Sequence, residues 1–248
     1  MSGHSKWSTI KRKKAVVDAA RGKVFTRIAK ELTIAARAGG GDEATNPRLR
    51  TAISTAKSAN MPTANIERAI KKGTGDLEGV VIEEIVYEGY GPGGVALMME
   101  VATDNRNRTV SELRHLLTKH GGNLAQAGAV GWMFETRGII QVPAAGVDED
   151  ELMMVALEAG AEDMSNEGEF FEILSAPNDL NTVNETLVQA GYKVEVAQIQ
   201  QIPSNFTDVT AEDLPKVVHL MELLDDHDDM QKLSASVNFT DEMLAGLE

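Results

Sequence analysis

The chain has 248 residues, 42% of them apolar, with 24 Lys and Arg against 38 Asp and Glu, a formal net charge of -14 and no cysteine. The length allows two or three small cores, and the apolar fraction is ordinary for a folded protein. Zero cysteine excludes a disulfide framework and thiolate catalysis, and no run approaches the roughly 18 consecutive apolar residues that a membrane span needs.

The charge is sorted by position. Residues 1–72 hold 16 basic side chains against 5 acidic ones, and residues 73–248 hold 8 against 33. Such asymmetry fits a polyanion-binding arm on an acidic body. A phosphate backbone is the favoured polyanion, because neutralising it releases condensed counterions. A solvated lysine-rich face is the competing explanation, and the extent of the excess over three expected helices argues against it.

Residues 1–21 read as a basic arm with isolated apolar anchors at Trp7, Ile10 and Val16. It lacks the apolar stretch of a secretory signal, so a cytoplasmic location is expected. From Gly22 to Ala38 the period becomes helical, with Val24, Phe25, Ile28, Leu32 and Ala35 in one stripe and Lys23, Arg27, Lys30 and Arg37 on the other face. Gly39-Gly40-Gly41 ends that helix. Asn46-Pro47 is an N-cap with proline at the first helical position; Leu49, Ile53 and Ala56 point inward and Arg48, Arg50 and Lys57 outward. Pro62-Thr63 opens a third helix with Ile66, Ala69 and Ile70 apolar, and Lys71 and Lys72 close it before Gly73.

From Val81 the period switches to two. Strands are expected at 81–90 and at 95–102, where Val95, Leu97, Met99 and Val101 share a face. A helix follows Asn107-Arg108-Thr109, with Thr109 and Glu112 at capping-box spacing, and then a strand pair at 123–127 and 130–135. Strand 138–142, a helix through Leu152, Val155, Ala156 and Ala159, strand 169–174, a helix through Leu180, Val183 and Leu187, and strand 192–200 suggest a β-α-β-β-α-β, ferredoxin-like unit. Residues 138–210 contain 14 acids and one base, Lys193, so this unit is no phosphate grip. A helix over 214–226 and a strand over 230–239 cannot make a core alone and are expected to dock on the 81–136 sheet.

No motif nominates an active site. Gly89, Gly91 and Gly94 satisfy G-x-G-x-x-G, yet a strand follows where the dinucleotide fingerprint needs a helix, so a hairpin turn is the better reading. His227 lies between Asp225-Asp226 and Asp228-Asp229, which lack the spacing and glycine of a calcium loop; a solvated acidic turn is expected. In Asp104–Arg108 the arginines suit a phosphate, but Asn and Asp more commonly build a turn and cap. No cofactor, metal or small-molecule substrate is indicated.

At GHSKW (3–7), RGKVFTRIAKEL (21–32), NPRLRTAI (46–53), NMPTANIERAIKKG (60–73), YEGYGPGGVA (87–96), TDNRNRTVSE (103–112) and ALEAGAED (156–163), the chain resembles the YebC/PmpR family. Mitochondrial relatives of that family are translational activators of cytochrome c oxidase. The resemblance implies an α+β protein in the form of a three-domain crescent. Its domains would be a basic helical one at 1–80, a central α/β domain at 81–136 plus 210–248, and an inserted acidic ferredoxin-like domain at 137–209. It also implies a non-enzymatic, DNA-binding transcriptional regulator, or alternatively a ribosome-associated factor that relieves stalling at proline runs. Carried over by motif, and joined to the cations read from the first helix, the nucleic-acid contacts are Lys6, Lys11, Arg12, Lys13, Lys14, Arg21, Lys23, Arg27, Lys30, Arg68, Lys71 and Lys72.

Overall fold

The computed structural model describes residues 19–237 and 239, and side chains from Gly22 onward. The expected contacts Lys6, Lys11, Arg12, Lys13 and Lys14 lie outside the described residues, as does the side chain of Arg21. In chain order the described elements are helices α1 (Ala19–Gly39), α2 (Pro47–Ser58) and α3 (Thr63–Thr74), strands β1 (Glu83–Tyr90) and β2 (Ala96–Thr103), helix α4 (Arg106–Lys119) and strand β3 (Asn123–Leu124). They continue with β4 (Phe134–Pro143), α5 (Glu149–Glu158), β5 (Ala161–Asn166), β6 (Phe170–Ser175), α6 (Leu180–Gln189), β7 (Val196–Pro203), α7 (Leu214–Asp225) and β8 (Met230–Ala235). The fold is α+β. Residues 19–130 and 210–233 form one compact unit, and residues 131–209 with 234–237 and 239 form another.

In the first unit α1 packs against both α2 and α3, burying Ile28, Leu32, Ala35, Leu49, Ile53, Ala56, Ile66 and Ala69. Val24 falls off the expected stripe and is 45% exposed. Asn46 caps α2 as expected, accepting from the Leu49 N–H, and its amide nitrogen donates to the Ala35 and Gly40 carbonyls. That one buried side chain therefore satisfies the start of α2 and the end of α1 together. Gly73 does not stop α3 as expected; the left-handed residue is Gly75, at φ 85°. Gly73 instead lies inside the helix and against α1, where an added Cβ would collide with the Thr33 carbonyl oxygen and stand 2.7 Å from the Ala36 Cβ.

The first sheet has strand order β3-β1-β2-β8. β1 and β2 are antiparallel, and the glycines between them make a hairpin turn with Gly93 and Gly94 at positive φ. Residues of β2 are buried on both faces rather than one. Leu97 and Met99 alternate as the sequence suggests, but Met98 is buried too, and Lys30 of α1 reaches the Ala102 carbonyl at the strand's end. The expected strand over 123–127 shrinks to β3, because the buried carboxylate of Glu88 accepts from the Gly128 and Val130 N–H groups at 2.7 and 2.6 Å and folds that segment as a loop.

In the second unit the sheet order is β5-β6-β4-β7, all antiparallel, with α5 and α6 packed together on one face over Ile140, Val142, Phe171 and Ile173. This is the β-α-β-β-α-β arrangement expected. The strands expected at 130–135 and 138–142 are one continuous β4, preceded by a short turn at Gly131–Met133. Edge strand β5 was not legible because its sequence, AEDMSN, is polar and only partly buried. No described helix is long and apolar enough to cross a membrane.

Because α3 and α1 touch through a residue without a side chain, Gly73→Ala should overpack the contact and cost about 1–3 kcal/mol. Thermal unfolding of the variant beside the parent measures this as a lowered Tm.

Candidate nucleic-acid interface

The expected contacts separate into two groups according to what their charges meet. Along α1, Lys23, Arg27 and Lys30 do not form an outward cationic face. Lys23 pairs with Asp226 at 3.4 Å and donates to its carbonyl at 3.1 Å. Arg27 donates to the Asp225 carbonyl at 2.6 Å and to its carboxylate at 3.3 Å. Lys30 donates to the Asp228 carbonyl at 2.9 Å and to the Asp229 carboxylate at 2.8 Å. α7 ends at Asp225, so these cations satisfy carbonyls that its last turn leaves without an intrahelical partner and lie at the negative end of its dipole.

Asp229 is the centre of this arrangement. It is 3% exposed; one carboxylate oxygen takes Lys30, and the other takes Arg108 Nη2 at 2.8 Å and the Thr109 hydroxyl at 2.7 Å. Burial alone would push its carboxyl pKa up, but the hydrogen bonds from Lys30, Arg108 and Thr109 and the Lys30 charge hold it far below the usual carboxylate range. The Ala102 N–H donates to the Asp229 carbonyl at 2.8 Å, which fixes the residue to β2.

The acidic turn is solvated as expected at Asp226 and Asp228, which are exposed, but not at Asp225 and Asp229, which are drawn inward. His227 Nδ1 accepts from the Asp229 N–H at 3.1 Å, which leaves Nε2 to donate to Glu112 at 3.0 Å. Ligand atoms of Glu112, His227 and Asp229 lie within 4.8 Å of one another. The protein's own cations already occupy the Asp229 oxygens, so the cluster is an ion-pair hub rather than a metal cradle.

Helix α4 begins three residues before the expected capping box. Asn105 is its N-cap, accepting from the Arg108 N–H at 3.1 Å. Thr109 is inside the helix, buried, with its hydroxyl turned to Asp229 and Thr103. The cap reading of the Asp104–Arg108 run is thus the structural one, and Arg108 is held by Asp104 and Asp229. Arg48, expected to point outward, is gripped by Glu31 at 2.8 Å and Glu84 at 2.5 Å.

The second group is on α3. Arg68, Lys71 and Lys72 are exposed and at spacings that put them on one helix face, and none forms an ion pair among the described residues. A fork-shaped guanidinium beside two ammonium groups, none of them paired with a carboxylate among the described residues, is chemically suited to phosphate oxygens.

Comparison with known proteins agrees on one family. The model of the TACO1/YebC protein N-terminal domain matches residues 5–76, and that of the TACO1/YebC second and third domain matches residues 82–237. The chain belongs to the TACO1/YebC family. Relatives named probable transcriptional regulatory protein occur in Desulfotalea psychrophila, 54% identical with 100% of this chain and 99% of that one covered, and in Desulforapulum autotrophicum, 53% identical with 98% of both covered. A crystal structure of a conserved hypothetical protein from Aquifex aeolicus is 49% identical, covers 93% of this chain and 96% of that one, and superposes with a TM-score of 0.87. In this TACO1/YebC chain the Asp229 hub is the charge arrangement that sequence reasoning missed. Two signals pointed toward it, an acidic run after an apolar helix and the i, i+4, i+7 spacing of Lys23, Arg27 and Lys30, but nothing linear says that they meet.

Replacing Asp229 by Asn leaves Lys30 and Arg108 without their shared anion and should destabilise the chain by about 3–5 kcal/mol. The folded carboxyl pKa is depressed, so its contribution is full at neutral pH and fades as pH falls below the unfolded value of about 3.9. Urea titrations should therefore show a gap between parent and Asp229→Asn at pH 7 that narrows only below about pH 4.

Proposed function

We propose that this chain is a non-enzymatic, cytoplasmic transcriptional regulator that binds DNA through the phosphate backbone with a basic N-terminal domain at residues 1–80. The central domain of 81–136 plus 210–248 carries that grip, and the acidic domain of 137–209 repels nucleic acid and confines the binding orientation. The observation that supports this most is the contrast between the basic helices. Lys23, Arg27 and Lys30 of α1 are paired with carboxylates within the chain, whereas Arg68, Lys71 and Lys72 of α3 are exposed without a carboxylate partner among the described residues. The names of the relatives support regulation of transcription as the role.

Lys6, Lys11, Arg12, Lys13, Lys14 and Arg21 extend the same charge along the chain. Lys23, Arg27 and Lys30 act differently from Arg68, Lys71 and Lys72: they position the α1 helix, and their charge reaches a ligand only in part. The three α3 cations present point charges and a fork rather than a base-reading pattern, which also suits ribosomal RNA. A translation factor acting at proline-rich stretches is accordingly the second reading.

With about 0.9 of slope per phosphate on B-DNA, Arg68→Gln, Lys71→Gln and Lys72→Gln together should lower the magnitude of the log K against log salt slope by about 2–3 for all duplex sequences. Fluorescence anisotropy across a salt series measures this, and an unchanged slope removes the α3 grip. Sedimentation of lysate through sucrose, with and without nuclease, separates the readings: migration with ribosomal subunits supports translation, and its absence supports DNA.

A further inference from the structure

Beyond Lys72 the chain has only 8 Lys and Arg among 33 acids. In such surroundings a surface cation should find a carboxylate neighbour, and five do. Arg108 pairs with Asp104 and Asp229, Arg137 with Glu135 and Glu162, Lys193 with Glu195, Lys216 with Glu212 and Asp213, and Lys232 with Glu100. The other three are Arg106, Arg114 and Lys119. All are exposed, none forms an ion pair among the described residues, and all lie on α4.

The acids that should have quenched them are engaged elsewhere. Glu112, the one acid on α4, accepts from His227 and stands 4.0 Å from Arg108, and Asp104 is held by Arg108. Over about 20 Å of helix, Arg114 and Lys119 stand at the two edges of its exposed side, about 140° apart, and Arg106 stands at its N-terminal end, with exposed Asn107, His115 and Thr118 between them as neutral hydrogen-bonding groups. Beside Lys119 the His120 imidazole is held below its ordinary pKa, first by burial and then by the charges of His219, Lys119 and His115. Asp229 anchors both Lys30 of α1 and Arg108 of α4, so α4 is fixed to the same compact unit as α3.

We propose that the exposed side of α4, edged by Arg114 and Lys119 and ended by Arg106, is a second phosphodiester-binding surface that extends the footprint of the N-terminal domain along a nucleic acid. The proposal rests on the nucleic-acid reading above and adds a separate set of residues to it. Two unpaired guanidinium groups and an ammonium bordering a face of neutral hydrogen-bonding groups are suited in charge and donor chemistry to backbone phosphates.

The test uses the full chain carrying Arg106→Gln, Arg114→Gln and Lys119→Gln, beside the parent and the α3 triple variant, with labelled duplex DNA and structured RNA in a salt series. All three substitutions are exposed, so circular dichroism and Tm should match the parent. The expected result is at least tenfold weaker binding at about 100 mM salt and a slope reduced in magnitude by about 2–3, irrespective of sequence. If the α3 variant loses affinity while the α4 variant keeps the parent's affinity and slope, the α4 surface is overturned and the N-terminal reading stands. If the parent binds neither nucleic acid, both fall. Binding of polyglutamate alone, lost in the α4 variant, overturns the proposal in favour of an acidic protein partner.

Discussion

A buried carboxylate, Asp229, is the constraint on which the first unit depends. It gathers a lysine from α1, an arginine and a threonine from α4 and a backbone amide from β2. These elements are far apart in sequence. The cost of desolvating the anion is offset only because both oxygens are filled by charged or hydroxyl donors. The same geometry makes the arrangement specific: no other acid in the turn reaches both Lys30 and Arg108 among the described residues.

This hub also determines which basic residues are left for a ligand. α1 is cationic when read in one dimension, but Lys23, Arg27 and Lys30 serve as counterions and as donors to the carbonyls at and just beyond the end of α7. Among the described residues, the exposed cations without an ion pair include Arg68, Lys71 and Lys72 of α3 and Arg106, Arg114 and Lys119 of α4, together with Arg37 and Lys57. In an acidic chain a cation stays unpaired where the nearby carboxylates are engaged elsewhere, and the acidic turn engages Lys23, Arg27 and Lys30 of α1 rather than the cations of α3.

Much of the fold was legible in the sequence. The helical stripe of Ile28, Leu32 and Ala35, the Asn46-Pro47 cap and the switch to period two after Val81 are local signals, and each corresponds to an element. Gly73 misled because glycine serves two purposes, and close helix approach leaves the same letter as a helix stop. β5 was missed because an edge strand needs only one paired side and little apolar content. The capping box at Thr109 was displaced because that hydroxyl is occupied by Asp229, a partner 120 residues away. The candidate site was half legible: the α3 cluster is contiguous, while the fate of Lys23, Arg27 and Lys30 was not.

By itself the sequence determined the segregation of charge, the α+β class and the family, because composition, periodicity and motif order are properties of the chain read in line. Only the tertiary structure decided which charges are free. An ion pair forms when folding brings two groups within about 4 Å, and that proximity is encoded by the packing of whole elements rather than by any local spacing.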